Sequence, residues 1–117
     1  MKENITYKKA YEFAIEIVNL YKELFKMKEF VLSKQLLRSG TSIGANVPEA
    51  NGGISNNDFS AKISIAYKEA LETKYWLSLL TDTGFIQKNT YDRLYEQADE
   101  LCKILFSILK KTRIHKK

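Results

Sequence analysis

The chain has 117 residues, 44% hydrophobic and 28% charged, with one proline, five glycines, one cysteine and a formal charge of +5. That length makes one domain able to bury most of its apolar surface, and the composition is normal for a soluble globular protein. No apolar run approaches the roughly 20 residues that span a bilayer, the lone Cys102 excludes an internal disulfide, and so few turn-forming residues imply long helices.

The opening residues from Met1 to Thr6 lack the hydrophobic region of a secretory signal. With a single cysteine, a reducing cytoplasm is expected. The first helix is predicted from about Thr6 to Met27. Ala10, Phe13, Ala14, Ile17, Leu20, Tyr21 and Leu24 recur at i, i+3, i+4 and i+7, while Lys8, Lys9, Glu12, Glu16, Lys22, Glu23 and Lys26 take the wet face. Thr6 suits the N-cap. Lys28, Glu29 and Phe30 then lead to Ser33, the expected cap of a second helix.

That second helix carries small and polar residues where a plain amphipathic helix carries leucine and lysine. Leu36, Gly40, Ile43 and Val47 form an apolar stripe. Arg38, Ser42, Asn46 and Glu49 form a polar stripe beside it. Each glycine costs about 1 kcal/mol relative to alanine inside a helix. Close packing of a neighbouring helix against Gly40 and Gly44 would offset that cost; the alternative is that both are loop residues. Pro48 either kinks the helix or ends it at Val47. A kink is expected, because Asn51, Gly52 and Gly53 make the stronger stop signal.

Gly52 and Gly53 are not a phosphate loop, since no strand precedes them and no Gly-Lys-Ser or Gly-Lys-Thr follows. Ser55, Asn56, Asn57 and Asp58 supply caps for a third helix, predicted from about Asp58 to Thr83. Its stripe is Phe59, Ile63, Ala66, Ala70, Leu77 and Leu80, with the alanines expected opposite the glycines of the second helix. Gly84 is placed for the C′ position. Asn89 or Thr90 is expected to cap a fourth helix that runs to about Thr112, with Tyr91, Leu94, Ala98, Leu101, Leu105 and Ile108 inward. Four helices with short connections predict an all-α, antiparallel up-and-down four-helix bundle over residues 1–112, followed by a basic C-terminal tail over residues 113–117.

The run from Gln35 to Ala50 resembles the signature of the bacterial 23S rRNA intervening-sequence proteins, four-helix bundles first noticed as reading frames within large-subunit ribosomal RNA genes. Ala66 to Glu72 resembles that family's third helix, and the likeness covers nearly the whole chain. Family members often carry proline where Gly44 stands and none at Pro48. The resemblance implies a cytoplasmic, non-catalytic protein that assembles with itself, in some members as a ring of five. It also implies RNA or DNA as partner. A relative, the accessory protein of diversity-generating retroelements, is a ring that binds nucleic acid and a reverse transcriptase.

Charge and apolar excess locate candidate surfaces. All fourteen acidic residues precede Lys110, and five of the nineteen basic ones follow Leu109, so residues 1–109 are balanced. Lys110, Lys111, Arg113, Lys116 and Lys117 are therefore the first candidates to hold a phosphate backbone, with Lys34, Arg38, Lys62 and Lys68 as helpers. The bland alternative is a solvated terminus. Ile65, Trp76, Leu79, Ile104 and Phe106 lie outside the main seams and are candidates for a subunit interface. Leu101, Cys102, Ile104, Leu105, Phe106, Ile108 and Leu109 make the fourth helix apolar nearly all round.

Glu69 and Glu72 bring to mind a di-metal bundle site, but such a site needs Glu-x-x-His pairs, and His115 is the lone histidine. Neither a metal nor another cofactor is expected. The carboxylates pair better with Arg38, with Ser42 and Asn46 satisfying what remains. No serine or cysteine has the surroundings of a nucleophile, so an enzyme is not expected. The expected function is a nucleic-acid-associated oligomeric scaffold. The alternative is a protein–protein adaptor without nucleic-acid affinity.

Overall fold

The computed structural model describes residues 2–48 and 55–115, with side chains from 5 to 112. Four helices follow in order: α1 (Lys2–Lys26), α2 (Leu32–Ala45), α3 (Asn56–Asp82) and α4 (Lys88–His115). Each helix packs against its two neighbours in the cycle α1–α2–α3–α4, and none packs across the diagonal. Cross-helix contacts run in opposite directions along the chain. Gly40 faces Ile17 and Gly44 faces Ala10, Lys9 meets Glu100 and Glu16 meets Arg93, and Lys74 meets Asp99 while Ser78 meets Tyr91. The bundle is antiparallel throughout, and no described helix is long and apolar enough to cross a membrane.

One core runs the length of the bundle. Phe13, Ile17 and Leu24 of α1, Leu36 and Ile43 of α2, Ile63, Leu77 and Leu80 of α3, and Leu94, Leu101 and Leu105 of α4 are all buried. Leu101, Cys102, Leu105 and Leu109 fill this core, so most of the apolar excess on the fourth helix is spent inside the molecule.

Several boundaries differ from expectation for local physical reasons. α1 begins four residues before Thr6, which is buried inside the helix and does not cap it. α2 begins at Leu32 with Ser33 already inside. Its free amides are met from the preceding turn instead: Glu29 accepts from the Leu32 and Ser33 N–H groups at 3.2 and 2.6 Å, and Ser33 Oγ donates to the Glu29 carbonyl. A carboxylate suits a helix N-terminus on electrostatic grounds as well. α2 stops at Ala45, where Asn46 caps it. Pro48 stands beyond the helix and kinks nothing; the pyrrolidine follows the stop, a common place for it. At α4, Asn89 and Thr90 lie inside the first turn, and the helix continues past Thr112 to His115.

The third helix is capped as its sequence suggests. Ser55 Oγ accepts from the Asp58 N–H at 3.2 Å. At its other end Gly84, with φ +90°, closes a Schellman turn: Gly84 N–H bonds Thr81 O, and Phe85 N–H bonds Leu80 O. The end of α1 repeats this turn, with Lys28 N–H on Phe25 O and Glu29 N–H on Leu24 O. There the left-handed residue is Lys28, at φ 65°. A side chain in that conformation costs about 1–2 kcal/mol, part of which glycine's greater chain entropy takes back. Lys28→Gly is therefore expected to raise stability by about 0.5–1 kcal/mol in thermal or urea unfolding. Gly84→Ala should lower it by a similar amount, and two changes of the same sign would contradict this account.

Candidate interaction surfaces

The polar stripe of α2 meets α3. Arg38 forks onto two carboxylates one turn apart, with Nη1 3.4 Å from both Glu69 oxygens and Nη2 bonded to Glu72. Glu72 also accepts from Trp76 Nε1 at 2.9 Å. The hydrogen bond that Arg38 donates to Glu72 raises the guanidinium pKa further. With two carboxylates beside it, Arg38 presents little net positive charge to a phosphate. Ser42 and Asn46 do not join the fork. Asn46 Nδ2 turns back along its own helix to the Ser42 carbonyl and hydroxyl, at 2.9 and 3.2 Å. Glu49 lies outside the described residues.

Beneath the fork lies a pair that sequence reasoning missed. Ser39 and Thr73 are both fully buried, and their hydroxyls share a 3.0 Å hydrogen bond across the α2–α3 seam. The clue was present: Thr73 fills the gap in the inward series Ile63, Ala66, Ala70, Leu77, Leu80.

The glycines act on the other flank of α2. A Cβ on Gly40 would stand 2.8 Å from Ile17 Cγ2, and one on Gly44 would stand 3.5 Å from Ala10 Cβ. The close approach is therefore to α1, which corrects the expectation that α3's alanines lie opposite. Ala66 and Ala70 are buried in the common core.

The α1–α4 side is ionic. Arg93 Nη1 bonds Glu16, Gln97 Nε2 donates to the same carboxylate at 3.1 Å, and Lys9 stands 3.4 Å from Glu100. The Arg93 hydrogen bond, with help from Gln97, holds the Glu16 carboxyl below its usual range. On the α3–α4 side Asp99 takes Lys74 at 2.7 Å and Lys103 at 3.1 Å; Lys74 is first among the causes that lower its pKa. Cys102 is buried there, and desolvation pushes its thiol pKa up, away from the reactive thiolate. Among the described residues no three of His, Cys, Asp and Glu cluster as metal ligands.

The candidate cations do not gather. Lys34 is exposed in the first turn of α2, whereas Lys110 and Lys111 are exposed near the end of α4. These are opposite ends of a bundle 48 Å long. Lys62 and Lys68 are exposed on α3. The Arg113 side chain, Lys116 and Lys117 fall outside what is described.

The apolar candidates also separate. Trp76 belongs to the Arg38–Glu72 network, with Ile65 and Leu79 on the same helix. Ile104 lines a groove of about 610 Å³ with Thr6, Phe59 and Ile108, while Phe106 tilts against Tyr67 with ring centres 5.8 Å apart. The largest exposed apolar set was not foreseen, and it lies on α1. Tyr11, Ile15 and Phe25 are about half exposed, as are Met27 and Phe30 in the turn after it. Its signal was legible. Tyr7, Tyr11, Ala14, Val18, Tyr21 and Phe25 are spaced 4-3-4-3-4, each one residue after the inward series Thr6, Ala10, Phe13, Ile17, Leu20, Leu24. One helix thus carries two adjacent seams: the first fills the bundle core, and of the second Tyr7 packs against that core while Tyr11 and Phe25 stand half exposed.

No curated protein matches the chain. Among solved structures it is similar to a protein of unknown function from Bacteroides thetaiotaomicron, assigned to the S23 ribosomal protein family. The two share 52% identity over 94% of this chain and 99% of that one, with a TM-score of 0.88. The family model described as 23S rRNA-intervening sequence protein matches residues 2–107. That match enters at the start of α1 and runs well into α4, so the chain belongs to the 23S rRNA-intervening sequence protein family.

Proposed function

We propose that this protein is a non-catalytic, self-assembling scaffold of the cytoplasm that holds RNA or DNA through the cationic end of α4. The observation that supports the reading best is the run of charge there. Lys110 and Lys111 are exposed on the last turns of α4, and Arg113, Lys116 and Lys117 follow with no acid among them. The rest of the surface offers phosphate little. Arg38, Arg93 and Lys74 are paired with carboxylates, and the formal charge of residues 1–109 is zero. Several copies in one assembly, a ring of five in the manner of some relatives, would multiply a weak single-tail contact by effective concentration.

The test is a salt-titrated shift assay with RNA and with single-stranded DNA. It compares the intact chain with a variant in which these five residues are glutamine, and with one truncated after Leu109. Both changes should remove most of the affinity, and the slope of log affinity against log salt should fall by about 0.7 per lost phosphate contact on a single strand. Affinity and slope unchanged in both variants would refute the tail as the site. No binding by the intact chain would favour the adaptor reading, which the exposed apolar residues of α1 support.

A further inference from the structure

The end of the bundle opposite Lys110 and Lys111 is apolar where it meets solvent. At the α1–α2 turn, between Phe25 and Val31, four large side chains stay in water. Val31 is 72% exposed, and Phe25, Met27 and Phe30 are each about half exposed. Phe25 and Phe30 meet edge to face at 5.0 Å, so the turn forms an apolar knob. Its backbone is largely closed. The N–H groups of Met27, Lys28 and Glu29 bond to carbonyls of α1, and those of Leu32 and Ser33 bond to the Glu29 carboxylate. Lysines surround the knob: Lys22, Lys26, Lys28 and Lys34 are all exposed. Of the carboxylates in the same stretch, Glu23 pairs with Lys26 and Glu29 caps α2. Lys22, Lys28 and Lys34 have no carboxylate partner among the described residues. Lys28 also holds the left-handed φ of 65°, where glycine would be unstrained.

We propose that this turn seats on the surface of an anionic lipid bilayer. The four apolar side chains enter the boundary between headgroups and acyl chains, and the lysines lie on the headgroups. This goes beyond the nucleic-acid reading and uses the other end of the molecule. Three observations favour a bilayer. The apolar groups cap the narrow end of a body 48 × 22 × 21 Å, a shape that meets a soft planar layer end on. The closed backbone lowers the cost of entry, because unpaired N–H groups are expensive away from water. The lysines supply what a short knob lacks, since interfacial binding combines apolar area with attraction to anionic lipid. Their stems lie along apolar surface while the ammonium groups stay at the headgroups. A lysine held in strained backbone at the centre of the knob fits a charge that is needed there. On the adjoining α3–α4 turn Asp92 is paired with Lys88, whereas Asp82 is exposed and has no cationic partner among the described residues. Repulsion of Asp82 by the headgroups tilts the bundle so that the α1–α2 corner leads.

The experiment is co-sedimentation of the full chain with vesicles of equal parts phosphatidylglycerol and phosphatidylcholine, against phosphatidylcholine alone. The intact chain should bind the anionic vesicles, and less so as salt rises. Lys28→Gly should weaken that binding about fivefold, the share of one lysine near an anionic surface, while melting no lower than the intact chain. A loss of binding with no loss of stability separates contact from folding. Met27→Ser with Val31→Ser should weaken binding on the order of tenfold or more, with helical circular dichroism unchanged; if this pair does not fold, Lys28→Gly still decides. Truncation after Leu109 should leave the vesicles bound, because the basic tail is at the other end. An environment-sensitive dye attached through Val31→Cys should shift to the blue with anionic vesicles. The native Cys102 is buried with its thiol pKa raised and leaves the new thiol to react. No binding by the intact chain would overturn the proposal. So would unchanged binding by both turn variants, or binding that disappears with the tail, which would put the lipid contact at the end of α4.

Discussion

Gly40→Val is expected to destabilise the bundle by about 3 kcal/mol, the upper end of the range for overpacking a close-packed core. Even alanine there would place its Cβ 2.8 and 2.9 Å from two Ile17 carbons and 3.3 Å from the Ile17 Cβ itself. A β-branched side chain in a helix holds one rotamer, so Ile17 cannot swing aside and the helices must part. The gain in helix propensity from replacing glycine, about 1 kcal/mol for alanine and less for valine, offsets only part of this. Gly44→Ala is the internal control. Its nearest contacts are 3.5–3.6 Å, on Ala10, which is ordinary van der Waals distance, so the propensity gain should dominate and stability should rise by several tenths to about 1 kcal/mol. Urea denaturation reads both. At about 4 °C per kcal/mol for a domain of this size, Gly40→Val should melt on the order of 10 °C lower. Ile17→Ala should cost less in a Gly40→Ala background than alone, because the shortened side chain makes room for the new methyl. Equal effects at both glycines would remove the steric basis of the α1–α2 contact.

The physical origin of the fold was legible because each helix writes its inward side as a repeat of three and four. Leu36, Gly40 and Ile43, or Leu94, Ala98, Leu101 and Leu105, need no tertiary information to be recognised as buried. Which neighbour a residue meets is a different matter. Gly40 lies close to the midline of its own inward stripe, and nothing local says whether α1 or α3 approaches there. Helix ends were blurred where the capping group sat off pattern. Glu29 reaches forward from the turn and takes Ser33's expected part, so a carboxylate in a loop did the work assigned to a hydroxyl. The two-seam pattern of α1 was open to view, yet a single amphipathic stripe accounts for the core well enough that the second is passed over. The Arg38 fork was foreseeable from charge and spacing alone, since Glu69 and Glu72 stand three apart on one helix face. The Ser39–Thr73 pair was not, because a buried hydroxyl shows itself only once its partner across the seam is known.

That pair gives an asymmetric expectation. Thr73 also reaches the Glu69 carbonyl at 2.7 Å, whereas Ser39's other contact, the Leu36 carbonyl, is at 3.4 Å. Ser39→Ala leaves Thr73 bonded within its own helix and should cost about 0.5–1 kcal/mol. Thr73→Val keeps the shape but leaves the Ser39 hydroxyl, fully buried, with only a long contact, and should cost about 2 kcal/mol, near the penalty for an unsatisfied buried polar group. Removing both hydroxyls should cost less than Thr73→Val alone, because the stranded donor is gone. Additive effects in the double-mutant cycle would mean that the two hydroxyls do not depend on each other. A coupling of about 1 kcal/mol would identify a polar lock in an otherwise apolar seam. Such a lock opposes sliding of α2 along α3, since a one-turn shift would leave the buried Ser39 hydroxyl with only its long contact to the Leu36 carbonyl. The fork of Arg38 onto Glu69 and Glu72, one residue and one turn away, needs that same alignment. Loss of the lock should therefore loosen the fork too, and Arg38→Met should cost less in the Thr73→Val background than in the intact chain.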